Sequence, residues 1–201
     1  MPLRTKRSTH TGAKADETVE LAWRRLPDSN RQLLESIGAH QWQVVRQPLG
    51  LAAEAFLLSA GMKSYPLSTR TELDQALGIW LRELQIVLIN ESHPKLAEVD
   101  DVTREEFIAR IAWHEWGHAL SIARCSEDDV AAGARLLQLA PAGIRERVRE
   151  AGYRPREYTH EVIAETYALL MLRRLKGGSG QPSWLHDEIY SLLKAMTEWN
   201  D

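Results

Sequence analysis

His114-Glu115-Trp116-Gly117-His118 places two imidazoles four residues apart, with a carboxylate immediately after the first. On an α-helix, residues four apart lie one above the other on one face. His114 and His118 can therefore aim at a single point about 2.0–2.1 Å from each ring, the distance a zinc ion requires. Glu115 is rotated one step round the helix. It borders the open coordination position, where a general base for water would stand. The stripe Phe107, Ile111, His114, His118 and Ile122 predicts that both histidines face the core, where two partnerless imidazoles would be costly and a metal would satisfy both.

A catalytic zinc needs a third protein ligand and an exchangeable fourth position. Thr159-His160-Glu161-Val162-Ile163-Ala164-Glu165-Thr166-Tyr167-Ala168 supplies the candidate, Glu161. Glu165 lies one turn further along the same face and is predicted to accept the outer N–H of a liganding histidine, which fixes tautomer and ring angle. His160 is the rival third ligand, pointing about 100° away from Glu161 on a 3.6-residue helix. Cys125, the one cysteine, follows His118 by seven residues and reads as a packed or helix-end thiol. Trp113 and Trp116 flank the histidines, as pocket lining or as core. His10, His40, His93 and His186 have no partner spacing and read as surface or cap residues.

The elements that must carry these groups are mainly helical. Helices are predicted over 17–26, stopped by Pro27; over 29–37, ending at Gly38; and over 51–60, ending at Gly61. Thr69 and Glu72 frame a capping box for a helix to about Glu83. Thr103 and Glu106 frame another for the helix bearing the histidines, which runs to about Cys125. Ser126 with Asp129 starts a helix ending near Pro141; others cover 144–151, 159–176 and 184–199. Arg173, Arg174 and Lys176 suit the C-terminal dipole of the Glu161 helix. The β-branched run 84–89 is the strongest strand, and 41–47, cut off by Pro48, is a second. These predict a predominantly helical α+β domain over 17–201 with a small sheet, preceded by a flexible basic tail over 1–16. The strand at 84–89 either takes an extended peptide by strand addition or serves only as an interior strand.

The two helical motifs together resemble the gluzincin metallopeptidases, in particular the catalytic-domain family of anthrax lethal factor. In that family an H-E-x-G-H helix is followed, after a gap similar to the 42 residues here, by a helix of the form E-F-F-A-E-A-F. This chain has Val162 and Ile163 for the two phenylalanines and Thr166-Tyr167 for the Ala-Phe pair. Weaker likeness reaches Leu26-Pro27 with Leu33-Leu34, the strand near Ile86 and the last helix, so it spans about 20–199; only the two motifs are specific. The resemblance implies a zincin-like fold and a zinc endopeptidase. It makes His114, His118 and Glu161 the zinc ligands, Glu115 the general base and Glu165 a supporting carboxylate. The family's oxyanion-assisting tyrosine, seven residues before the glutamate, is replaced here by Arg154. Tyr153, one residue away, and Tyr158 are the substitutes.

Composition sets the outer limits. The chain has 201 residues, 44% hydrophobic and 26% charged, with a net charge of −3. It is too apolar for a disordered chain and has no basic field for duplex nucleic acid. A lone cysteine excludes an intrachain disulfide scaffold. No apolar run approaches the ~20 residues of a membrane span. Arg4, Lys6 and Arg7 precede no signal-peptide core, so the expected location is cytoplasmic or reached by a Sec-independent route. The expected partner is a protein or peptide substrate, without nucleic acid. Two alternatives stand beside the endopeptidase: a cytosolic regulatory peptidase of the repressor-cleaving kind, which pairs the same motifs over a shorter gap, and a non-hydrolytic zinc-containing binding module.

Overall fold

The computed structural model describes residues 11–197. Helix α1 covers Thr11–Arg24, α2 Asp28–Ser36 and strand β1 Gln41–Val45; then follow α3 Leu49–Ser59, α4 Leu67–Leu73, β2 Gly78–Leu81, β3 Ile86–Asn90 and the short α5 Pro94–Ala97. The second half is helical: α6 Asp101–Arg124, α7 Glu127–Ala131, α8 Gly133–Leu139, α9 Ala142–Glu150, a 3₁₀ turn Pro155–Glu157, α10 Tyr158–Leu175 and α11 Asp187–Thr197. The architecture is α+β and predominantly helical, with one three-stranded sheet.

Prolines start many of these helices. Pro27, Pro48, Pro66 and Pro141 each precede one with φ near −52° and extended ψ, because the ring fixes φ and forbids the helix from beginning earlier. The capping boxes are less uniform. Ser126 and Asp129 form theirs as expected. At Thr103 the cap is instead Asp100, whose Oδ1 accepts from the Thr103 N–H at 3.0 Å. Thr69 opens nothing: α4 starts two residues earlier, behind Pro66, and ends at Leu73. The first helix also starts before Glu17, so 11–16 belong to α1, with Ala15 buried and Lys14 bonded to Glu105 at 2.7 Å. The rest of the expected tail, with His10, lies outside the described residues, as do the last residues of the helix expected over 184–199.

The sheet order is β1-β3-β2. β3 runs parallel to β1 (Gln41 opposite Ile86) and antiparallel to β2 (Leu81 opposite Ile86). β3 is thus the central strand, with both backbone edges occupied; it cannot receive a peptide by strand addition. Its faces are covered too. Val87 and Ile89 enter the main core with α1, α6, α10 and α11, while Leu88 joins a smaller core closed by α3. Two-sided burial explains the unbroken apolar run. β2 stands where a helix was expected to continue to Glu83. The turn after it contains no glycine, and Gln85 takes a positive φ of 55°.

Candidate metal centre

The centre lies where α6 crosses α10, the most extensive helix contact in the fold. Gly117 allows the crossing: a Cβ there would meet Ala164 Cα at 2.8 Å. Ala164 is one turn past Glu161, so this close approach carries the Glu161 carboxylate to the histidines. On the opposite face, Trp113 and Trp116 are core residues. Trp113 Nε1 donates to the Ala22 carbonyl at 3.1 Å, and Trp116 packs edge-on to Trp23 and Trp42 at 5.2 and 6.2 Å. These anchors fix the rotation of α6. They leave Phe107, Ile111, His114, His118 and Ile122 lining a cleft of about 520 Å³; Ile111 and Phe107 also pack on the main core, as expected of that stripe, while Ile122 is exposed.

In the cleft the Nε2 atoms of His114 and His118 are 3.0 Å apart. Glu161 places one oxygen 3.3 Å from His118 Nε2 and the other 3.9 Å from His114 Nε2. Ligand atoms 2.0–2.1 Å from one tetrahedral ion stand roughly 3.3 Å from each other. The three side chains, with ligand atoms all within 4.8 Å of one another, therefore fit a single small divalent cation with a solvent-facing side left open. The electrostatics agree. Burial lowers both histidine pKa values; at His114 the facing Glu165 opposes this while Arg110 and Arg147 add to it, and at His118 the His114 and His160 rings add to it, so both are neutral donors of lone pairs. Burial and the neighbouring Glu115 raise Glu161 to about 8, a cost that a bound cation removes.

Glu115 is 7% exposed, and its Oε2 accepts from the Trp80 N–H of β2 at 2.9 Å. Burial raises it to about 8 against the lowering effect of that hydrogen bond. The close approach of β2 depends on Gly78, where a Cβ would meet Ile111 Cγ2 at 2.5 Å and Glu115 Oε1 at 2.9 Å. Glu165 faces His114 Nδ1 at 3.9 Å, beyond hydrogen-bond reach. Its oxygens are taken by two arginines, Arg110 at 2.8 Å and Arg147 at 3.2 and 3.0 Å. Tyr153 lines the cleft, and its hydroxyl acts on the Glu161 carboxyl, lowering it while its own pKa is raised, first by burial. Gly152, in the left-handed region at φ 72°, follows the end of α9 and precedes Tyr153, which lines the cleft while 37% exposed.

The remaining candidates lie elsewhere. Tyr158 packs on the main hydrophobic core and is not among the residues lining the cleft. His160 turns to Ser121 Oγ at 2.8 Å, which removes it as a rival to Glu161 in this arrangement. Cys125 caps the C-terminus of α6, with Sγ 3.8 Å from Met196 Sδ. His93 and His186 accept backbone N–H groups near helix starts, and His40 is exposed. Gly78, Arg110 and Arg147 escaped the sequence reading. Arg110 had a signal, one turn before His114 on the same stripe; Arg147, from α9, had none.

Scans of the chain against protein-family models, curated proteins and solved structures return no match. Among the described residues no helix is long and apolar enough to cross a membrane.

Proposed function

We propose that this chain is a zinc-dependent endopeptidase with a minimal gluzincin-type site, similar in its motifs to the lethal-factor family. The observation that carries the reading is the convergence of His114, His118 and Glu161 beside a buried Glu115 at the floor of an open cleft. Two neutral imidazoles and one carboxylate are the donor set of zinc hydrolases, and a structural zinc site would be closed by a fourth protein ligand. Zinc held there supplies Lewis acidity toward a carbonyl and a water of lowered pKa.

The protein's own groups do the rest. Glu115, one residue from His114, accepts a proton from the attacking water and delivers it to the departing amine. Tyr153 offers its hydroxyl to the developing oxyanion. Substrate alignment falls to β2, which has the sheet edge next to the cleft. Leu77 directs its carbonyl at Asn90 of the central strand, so by alternation Gly78 and Trp80 direct their backbone groups outward, and Trp80 N–H does reach Glu115. Of these outward groups the Trp80 N–H is taken by Glu115, so an extended peptide uses the remaining ones to lie across the histidines.

Glu115→Gln tests the reading. Cleavage of a peptide library by zinc-loaded protein is expected to fall roughly 10²–10⁴-fold, with zinc content and circular dichroism unchanged. Equal turnover by wild type and variant removes Glu115 from the chemistry. Zinc binding with no cleavage by either selects the non-hydrolytic binding module.

A further inference from the structure

We infer that the cleft selects a peptide carrying a carboxylate on the α6 N-terminal side of His114, with Lys95, Arg110 and Arg147 as the specificity-determining residues. This deepens the proposed peptidase reading and rests on it.

The two ends of the cleft differ in charge. Beyond His118 the α6 wall continues with Ile122, which is uncharged. Before His114 come Arg110 and Phe107; Arg147 from α9 meets Arg110 over Glu165, and Lys95 of α5, the element that precedes α6, also lines the cleft. The residues lining the cleft include these three cations and two carboxylates, Glu115 and Glu165. Glu115 is turned to the Trp80 N–H. Glu165 alone faces the arginines and bonds both, so one negative charge serves two guanidiniums. The Lys95 side chain is exposed and has no ion pair among the described residues.

The arginines are also held ready. Arg147 uses Nε and one terminal nitrogen on Glu165, and Arg110 uses one terminal nitrogen. Their side chains remain 43% and 25% exposed, with further N–H donors free for a second carboxylate. A guanidinium already fixed by one acid loses little freedom on meeting another. Arg110 precedes His114 by four residues, about 6 Å along the helix. The cleft lining also includes the apolar Leu73, Ala76, Leu77 and Phe107. The carboxylate is either an Asp or Glu side chain or a free chain terminus.

The test uses the zinc-loaded 201-residue chain and the library peptide that it cleaves or, where it cleaves none, the one its Glu115→Gln variant holds tightest, remade with Glu, Gln or Lys at each of six consecutive positions, and as free acid and amide. Glu is expected to exceed Gln in kcat/KM by about tenfold at one position, less so at high salt. Lys95→Glu and Arg110→Gln should each shrink that ratio, and Lys95→Glu should raise the rate for Lys. A ratio that depends on the free acid instead of the side chain assigns the cations to the chain terminus. Cleavage indifferent to charge at every position, or preferring Lys in the wild type, overturns the inference and leaves the peptidase standing. The same labelled peptides are measured by fluorescence anisotropy on Glu115→Gln protein. Tighter binding of the Glu series without cleavage by wild type keeps the inference and overturns hydrolysis; no binding of any series overturns both.

Discussion

The two faces of α6 obey opposite rules. On one, Ala112, Trp113, Trp116 and Leu120 are at most 1% exposed and pack among other apolar side chains. On the other, five consecutive stripe positions line an open cleft, and the polar groups beside them are desolvated without full compensation: neutral histidines with nitrogens facing each other and carboxyls driven up toward 8. The first face stabilises the fold and fixes the helix's rotation. The second spends part of that stability to keep ligands bare, as functional sites commonly do.

If the division holds, truncating the core face should damage stability far more than metal binding. Trp116→Ala is expected to cost about 3–5 kcal/mol in denaturant unfolding. Trp116→Phe should cost much less, since the Trp116 Nε1 has no partner to lose. A Trp116→Ala protein that unfolds like wild type would break the comparison. On the cleft face, Glu161→Ala should weaken zinc by more than about 100-fold in chelator competition, exceeding the effect of an outer-shell change, while leaving the fold intact. His160→Ala should leave zinc affinity alone. One tightly held zinc per chain in Glu161→Ala would remove that residue from the centre.

Gly117 belongs to both faces, because it sets the distance between α6 and α10. A methyl group 2.8 Å from Ala164 Cα forces backbone apart. Gly117→Ala should destabilise by about 1–3 kcal/mol and also weaken zinc by roughly 10–100-fold, comparable to an outer-shell loss. Loss of stability with full zinc affinity would show that Glu161 reaches the histidines independently of the crossing.

How much of this was legible follows the same division. The His-Glu-x-x-His face and Glu161 could be read because their spacing is local to single helices. β3 was legible as an unbroken apolar run, though its central place, and hence its unsuitability for peptide binding, was not. β2 was missed because Leu73, Leu77, Trp80 and Leu84 imitate a helical period and no glycine or asparagine marks the turn at Gln85; only Gly78 hinted otherwise. The stripe containing the histidines was read as core because Phe107, Ile111 and Ile122 are apolar, yet a binding cleft needs apolar walls as much as a core does. Arg147 meets Glu165 only through the tertiary placement of α9, which no local pattern encodes.

The smallest effect tests the electrostatic cost itself. In metal-free protein, Glu115 and Glu161 have pKa values raised to about 8 from an ordinary 4.5. The folded state therefore holds protons that the unfolded chain has released between pH 4.5 and 8, and stability falls as pH rises through that window. His114 and His118 are lowered below 6.5; they subtract stability as pH drops toward and below that value, where the unfolded chain takes up protons first. In the lower part of the window from pH 6.5 to 8 these histidines, with the likewise lowered His160, offset a part of the carboxyl effect, and toward pH 8 the carboxyls dominate. Chelator-treated wild type should be about 1–3 kcal/mol more stable at pH 6.5 than at pH 8 by urea unfolding, and Glu115→Gln should show a distinctly smaller difference. With zinc bound the direction reverses, because the metal requires neutral imidazoles and an ionised Glu161. Metal-free protein that gains stability toward pH 8, or an unaltered slope in Glu115→Gln, would mean that these carboxyls are solvated and that the cleft face carries no such cost.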